Sequence, residues 1–199
     1  MKYSIATLIS ALALVRAIPD GIPSESTARS LLSELTVFES SDDGSYDRDL
    51  FPTWDTIEGT CNAREYVLRR DGDGVEVGSD CYPTAGTWTC PYDGTTHSIP
   101  SEVSIDHMVP LKNAWISGAS EWTTADREAF ANDVKGVQLW AVTGTTNSKK
   151  SDKSPDEWQP PKTEIHCQYA AAWIQVKSTY KLTVTAAEQS SLEEMLGSC

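Results

Sequence analysis

Residues 105–110 read Ile-Asp-His-Met-Val-Pro, and residues 147–155 read Asn-Ser-Lys-Lys-Ser-Asp-Lys-Ser-Pro. The first stretch places Asp106 beside His107 at the end of an apolar run, and the second begins with Asn147. Carboxylate and amide oxygens are ligands that a hard divalent cation prefers, and a neighbouring imidazole can act as a general base. Together these side chains provide the groups that a metal-assisted attack of water on a phosphodiester requires.

The same two stretches indicate the local fold. The run at residues 103–107 predicts a short strand, which Pro110 limits because proline cannot donate a sheet hydrogen bond. The β-rich apolar run at residues 137–142 predicts a second strand. A helix would then carry Asn147 and Lys150 on one face, three positions apart. We therefore expect two strands and a helix, in this order.

Further helices are predicted around this unit. Hydroxyl side chains precede two of the helical runs, so we expect caps at Thr123 or Thr124 and at Thr145 or Thr146. The other predicted helices cover residues 111–117, 123–133, 166–180 and 185–196. The tryptophans expected in the core are Trp88, Trp115, Trp140 and Trp173. The fold class is therefore α+β, in a single small domain at residues 46–199 whose motif core spans residues 103–158.

The N-terminal residues differ from this domain. Residues 1–17 combine Lys2, a short apolar run and small residues at the end of this run. This combination is typical of a secretory signal peptide cleaved after Ala17. The apolar run is too short for a permanent membrane anchor, so we expect a secreted, extracellular protein. Residues 18–45 are rich in Ser, Asp and Glu, which indicates a flexible N-terminal arm or a propeptide with a short helix.

The chain has five cysteines, which suits an oxidising destination and leaves one cysteine over. We expect Cys167 to pair with Cys199, which would join the C-terminal helix to the preceding one. Cys61 would pair with either Cys81 or Cys90. A zinc site is the weaker alternative, because no Cys-x-x-Cys or clustered Cys/His spacing is present.

The net charge of −13 argues against strong electrostatic attraction to nucleic acid. Loss of the signal peptide removes Lys2 and Arg16 and no acidic residue, so the charge becomes −15. Lysines cluster locally around the predicted motif helix, at positions 135, 149, 150, 153 and 162. The charge pattern predicts weak, salt-sensitive and sequence-nonspecific binding, with a cation supplying part of the missing positive charge.

The chain resembles a family of secreted HNH (ββα-metal) endonucleases, and its core is similar to the HNH domain of RNA-guided CRISPR nucleases. Four motifs carry the resemblance: Asp-His-x-Val-Pro-Leu, Trp-x-Ser-Gly-Ala, Phe-Ala-Asn-Asp and Asn-x-x-Lys-x-Asp-x-x-Pro-x-x-Trp. They lie at residues 106–111, 115–119, 130–133 and 147–158. The resemblance extends over nearly all of the mature chain and implies a disulfide-stapled ββα-metal fold.

The resemblance also implies a role for each motif residue. His107 would be the general base, while Asp106 and Asn147 would hold one Mg²⁺, with Mn²⁺ or Ca²⁺ as alternatives. Lys150 would lie near the phosphate or the product, although an ordinary solvated lysine is an equally good interpretation. Gln138 takes a middle position that is usually Asn or His, and would join the two halves of the loop through its backbone hydrogen bonds.

The resulting expectation is a monomeric, secreted, metal-dependent and nonspecific endonuclease that cuts DNA, and RNA as a second substrate. The alternative from another class is a catalytically silent secreted binding protein or effector that keeps the nuclease fold. Metal-dependent cleavage of nucleic acid distinguishes the two.

Overall fold

The computed structural model describes residues 18–39 and 42–199, so the predicted signal peptide at residues 1–17 lies outside the described residues. The described part contains seven α-helices and seven short strands, with 3₁₀ turns between them. In chain order they are α1 (Glu25–Glu34), β1 (Thr56–Glu58), β2 (Cys61–Asn62), α2 (Ala63–Asp71), β3 (Asp73–Val77), β4 (Pro83–Thr89), β5 (Thr96–His97), β6 (Val103–His107), α3 (Leu111–Ile116), α4 (Thr124–Ala131), β7 (Leu139–Thr143), α5 (Gly144–Lys150), α6 (His166–Thr179) and α7 (Ala186–Leu196).

Strands β6 and β7 pair antiparallel, and α5 follows β7 without a loop. The α+β class and the predicted order of two strands and a helix are therefore confirmed. The predicted cap of α5 is wrong. Thr143 is the N-cap and makes no side-chain capping bond, because the strand continues directly into the helix. The Thr146 hydroxyl instead donates to Asp93 Oδ2 at 2.5 Å.

Strand β7 is buried on both faces, as a near-continuous apolar strand should be. Leu139 and Ala141 belong to a small apolar cluster with residues of α2 and with Trp88. Trp140 and Val142 belong to the larger cluster formed with α3, α4, α6 and α7. The strand pair therefore separates the two clusters.

This alternation orients the paired residues of β6. Asp106 lies opposite Trp140 and shares its face, on the side of the larger cluster. His107 lies opposite Leu139 and faces the other way. Adjacent residues of one strand thus project into different surroundings at the end of the sheet.

The segment at residues 18–45, expected to be a flexible arm or a propeptide with a short helix, contains one short helix, and this helix packs on the domain. Ser24 caps α1 by accepting a hydrogen bond from the Thr27 amide. Ala28 and Leu32, one helical turn apart, are buried against α6 and α7. Downstream of α1, the backbone continues into a parallel bridge between Val37 and Val184, with Phe38 N donating to Val184 O at 2.8 Å.

Two disulfides staple the domain. Cys167 pairs with Cys199 as predicted, and Cys61 pairs with Cys81. Cys90 is the free cysteine and is buried.

Three of the four tryptophans predicted for the core are buried there, namely Trp88, Trp140 and Trp173. The prediction for Trp115 is wrong, because its ring is only partly covered. Its Nε1 donates to Ser45 Oγ at 3.1 Å, and its ring packs edge-on against Tyr46.

The disulfide pattern predicts the outcome of a thiol-mapping experiment. Alkylation of the denatured, unreduced protein should label Cys90 alone, because the other four cysteines are bonded. The native protein should resist labelling, since Cys90 is 2% exposed. Peptide mass spectrometry identifies the labelled site. A label on Cys81 with protection of Cys90 would contradict the Cys61–Cys81 pairing.

Candidate functional site

A cavity of about 380 Å³ opens beside the end of β6 and the start of α5. Three of the five predicted site residues line it: Asp106, His107 and Asn147. Tyr46 and Arg48, from the segment that precedes β1, line it as well. The structure therefore brings the two halves of the sequence motif together and adds a wall from the N-terminal part of the chain.

The Asp106 carboxylate is held by two hydrogen bonds. Its Oδ2 accepts from the Tyr92 hydroxyl at 2.6 Å, and its Oδ1 accepts from Lys150 Nζ at 2.9 Å. Burial raises the pKa of Asp106, while Lys150 and Tyr92 oppose this change by stabilising the charged form. The carboxylate is thus fixed in orientation by a phenol and an ammonium group.

Lys150 lies beneath the cavity and does not line it. Its side chain is fully buried, and Nζ donates to the His107 main-chain oxygen at 2.9 Å in addition to Asp106. The ammonium also lies 5.9 Å from the centre of the Trp173 ring. Burial lowers its pKa, and the neighbouring Asp106 raises it. The structure therefore corrects both expectations for Lys150, as a phosphate contact and as a solvated lysine, because its ammonium is fully buried and makes its two hydrogen bonds inside the core.

The His107 ring is held by a main-chain carbonyl. Its Nε2 lies 2.9 Å from the oxygen of Ala131, and a carbonyl oxygen can only accept a hydrogen bond. Nε2 therefore carries the hydrogen, and in a neutral imidazole Nδ1 is the basic atom. Burial is the main cause that lowers the pKa of His107 to about 4; the Ala131 bond opposes it, and the charges of Arg48 and Lys150 make smaller contributions to the lowering. The ring is neutral at pH 7.

Trp54 packs against this imidazole, with 6.0 Å between the ring centres. Its backbone has a φ of 67°, in the left-handed region that bulky residues rarely adopt. Such conformations persist where surrounding contacts hold them, and they often occur at functional sites. Nothing in the sequence pattern indicated this role.

Gln138 is buried and makes its contacts away from the cavity. Its Oε1 accepts from Val109 N at 3.1 Å, and its Nε2 donates to Val109 O at 2.8 Å. Its main-chain oxygen accepts from Met108 N at 2.7 Å. Gln138 thus joins the turn after β6 to the start of β7. The side-chain amide provides two of the three bonds, whereas the sequence interpretation had expected backbone bonds.

The donor set is suited to a hard cation. Within residues 18–39 and 42–199, the Asn147 side chain makes no hydrogen bond, so its amide oxygen is available in the cavity. Each Asp106 oxygen accepts one hydrogen bond and keeps further acceptor capacity. The described residues contain no group of three or more His, Cys, Asp or Glu side chains that could enclose a metal. Two oxygen donors with an open remainder match the way Mg²⁺ keeps several waters.

Tyr92 is the buried residue of the site for which sequence reasoning assigned no role. It lies in an aromatic group in which its ring stacks on Trp140 and meets Trp158 and Tyr169 edge-on. Burial raises its pKa well above the ordinary value, and the Asp106 charge adds to this effect. The phenol therefore remains a proton donor to Asp106. Tyr92 lies outside the four sequence motifs that carry the resemblance.

Comparisons with known proteins support a nuclease-type family. The model of the family "GmrSD restriction endonucleases, C-terminal domain" matches residues 75–195, which include Asp106, His107 and Asn147. An "Uncharacterized secreted protein" of Arthroderma benhamiae is 50% identical over 204 residues, and the match covers 100% of both chains. No solved structure matches the chain. None of the described helices is long and apolar enough to cross a membrane.

The family match covers more than half of the chain and contains every residue that carries the ββα unit of the candidate site. The protein therefore belongs to the family of the C-terminal domain of GmrSD restriction endonucleases.

Proposed function

We propose that the protein is a secreted, metal-dependent endonuclease of the HNH type that hydrolyses phosphodiester bonds of DNA, with RNA as a second substrate to be tested. The observation that carries the proposal is the position of His107. A neutral imidazole with its basic nitrogen unprotonated shares one cavity with the oxygen donors of Asp106 and Asn147. The nuclease-type family and the secreted relative support the same conclusion.

In this proposal His107 Nδ1 accepts the proton of the attacking water. Asp106 and Asn147 would hold Mg²⁺, which would supply stabilisation of the charge that develops on the phosphoryl and leaving oxygens. The Ala131 carbonyl fixes the tautomer of His107, and Lys150 and Tyr92 fix the orientation of Asp106. Gln138 and Lys150 are therefore positioning residues, not catalytic ones.

A pKa of about 4 would make His107 a weak base in the free protein. A phosphodiester in the cavity brings negative charge close to the imidazole, and nearby negative charge favours the protonated form. Substrate binding should therefore raise the pKa of His107 towards the range in which it can hold the transferred proton. The acidic chain supplies little long-range attraction for substrate, so binding should be weak, salt-sensitive and independent of sequence.

Loss of the His107 imidazole should abolish most cleavage. For His107→Ala we expect a fall in rate of about 10²- to 10⁴-fold, the usual contribution of a general base. His166→Ala is the matched control, because His166 also bonds a main-chain oxygen, that of Pro160, but lies outside the cavity lining. The assay follows supercoiled plasmid and, separately, RNA, with Mg²⁺, Mn²⁺, Ca²⁺ or EDTA.

Cleavage that requires metal and His107 would support the proposal. Wild-type protein that is correctly folded and cuts neither substrate would instead favour the silent binding protein. Full activity of folded His107→Ala would remove His107 from the mechanism.

The buried ion pair predicts a large effect of a substitution at Lys150. Lys150→Met leaves the Asp106 carboxylate buried without its cation, so the free energy of unfolding should fall by about 3–5 kcal/mol. Lys149→Met is the matched control on the same helix, where the side chain is exposed, and it should change the value by less than about 0.5 kcal/mol. Urea unfolding measures both. Similar stabilities of the two variants would contradict the structural role of Lys150.

The buried imidazole predicts lower stability in acid. The pKa of His107 falls from 6.5 to about 4 on folding, so between these pH values the unfolded chain binds the extra proton. The free energy of unfolding should therefore fall as pH falls through this window, by about 3 kcal/mol at most. Urea unfolding at neutral and acidic pH should show this loss of unfolding free energy in the wild type and not in His107→Gln. The same pH dependence in both proteins would contradict a buried neutral imidazole.

A further inference from the structure

A phosphodiester in the cavity would meet few positive charges. Among the described residues that line it, Arg48 and Lys112 are the cationic side chains, and Asp106 and Asp152 are the acidic ones. Buried Lys150 is engaged by Asp106 and does not reach the lining. Since the whole chain is also acidic, the position of each cation at the cavity matters for binding an anion.

The two lining cations differ in their partners. Lys112 Nζ lies 2.7 Å from Asp42 Oδ2 and 3.4 Å from Asp152 Oδ2, so two carboxylates already neutralise its charge. The Arg48 side chain forms no ion pair with any carboxylate in the described part of the chain. The side-chain partner of Arg48 is the uncharged Tyr46 hydroxyl, so no carboxylate neutralises the Arg48 charge at the cavity.

The backbone around Arg48 is held while its side chain stays exposed. Asp47 caps the 3₁₀ turn Arg48–Leu50 by accepting from Asp49 N. The Leu50 main-chain oxygen accepts from Arg127 Nε at 2.9 Å, and the next residue, Phe51, is buried in the larger apolar cluster. The guanidinium is thus presented to the cavity from a fixed support.

The cavity lining places the Arg48 charge close to the reacting groups. Arg48 lines the same cavity as His107 and Asp106. A guanidinium has a planar set of donors that fits two oxygens of one phosphate.

We propose that the Arg48 guanidinium binds the phosphate that occupies the cavity beside His107, so that the segment before β1 supplies the substrate-binding cation of the site. This assignment rests on the proposed nuclease function. Arg48 lies outside residues 75–195, which the family model matches, so the family motif alone does not provide this group.

The kinetic test compares Arg48→Met, Arg48→Lys and the control Lys149→Met, with an oligonucleotide substrate and Mg²⁺. Lys149 is also a cation near Asn147, but it lies outside the cavity lining. Arg48→Met should lower kcat/KM by about 10- to 100-fold, the loss expected for a charged hydrogen-bonding group, and Arg48→Lys should recover part of it. Lys149→Met should stay within about threefold of the wild type.

The salt dependence gives a readout that a structural role would not change. Removal of a phosphate contact should reduce the slope of log(kcat/KM) against log salt concentration by about one in Arg48→Met. The thermal midpoint should remain that of the wild type, because the Arg48 side chain is exposed. An unchanged slope with normal stability, or an equal loss in Lys149→Met, would overturn the proposal.

A binding experiment separates this inference from the proposed function. Fluorescence anisotropy of a labelled oligothymidine in EDTA reports binding without cleavage. Weaker binding to Arg48→Met, with wild-type binding to Lys149→Met, would support the phosphate site even if the wild type cut no nucleic acid. Equal binding to the wild type and Arg48→Met would overturn it even if His107-dependent cleavage were established.

Discussion

The buried ion pair between Lys150 and Asp106 sets the geometry of the candidate site. An ammonium group in a protein core is tolerated only when it is paired and hydrogen-bonded, and Lys150 uses Asp106 and the His107 main-chain oxygen for this purpose. The pair joins the last turn of α5 to the end of β6. Because α5 also carries Asn147, the contact that satisfies Lys150 brings all three cavity-facing motif residues together.

A second buried lysine also lies close to Trp173. Lys177 Nζ is 5.9 Å from the centre of that ring, donates to Asn113 Oδ1 at 2.6 Å and lies 3.2 Å from Glu188 Oε1. One indole therefore packs against two buried ammonium groups, each with its own carboxylate. The helical side of the core therefore contains two buried ion pairs. The Lys150–Asp106 pair belongs to the site. Lys177 joins α6 to α7 through Glu188 and to α3 through Asn113.

The structural features that depend on neighbouring residues could be predicted from the sequence, whereas the contacts between distant residues could not. Strand β6 with Asp106 and His107, strand β7 and the following helix come from local patterns, so they were predictable. The burial of Lys150 depends on Asp106, 44 positions earlier, and a lysine in a polar run gives no sign of it. Arg48 gave no sequence signal either, because its place at the cavity depends on the path of the N-terminal segment. The choice of Cys81 over Cys90 as the partner of Cys61 likewise depends on where α2 and the β3–β4 hairpin place the three sulfurs.

The packing of α1 has a consequence for the order in which the chain can fold. Its buried residues have their partners on α6 and α7, and the backbone after it bonds to Val184, while Glu39 accepts from Ala186 N. These contacts close loops of nearly the whole domain, so their entropic cost is paid only after the last helices exist. Docking of α1 therefore completes only after the C-terminal helices have been synthesised. The cavity wall at Tyr46 and Arg48 has separate anchors on α3 and α4, through Trp115 and Arg127, so its position does not depend on that late step.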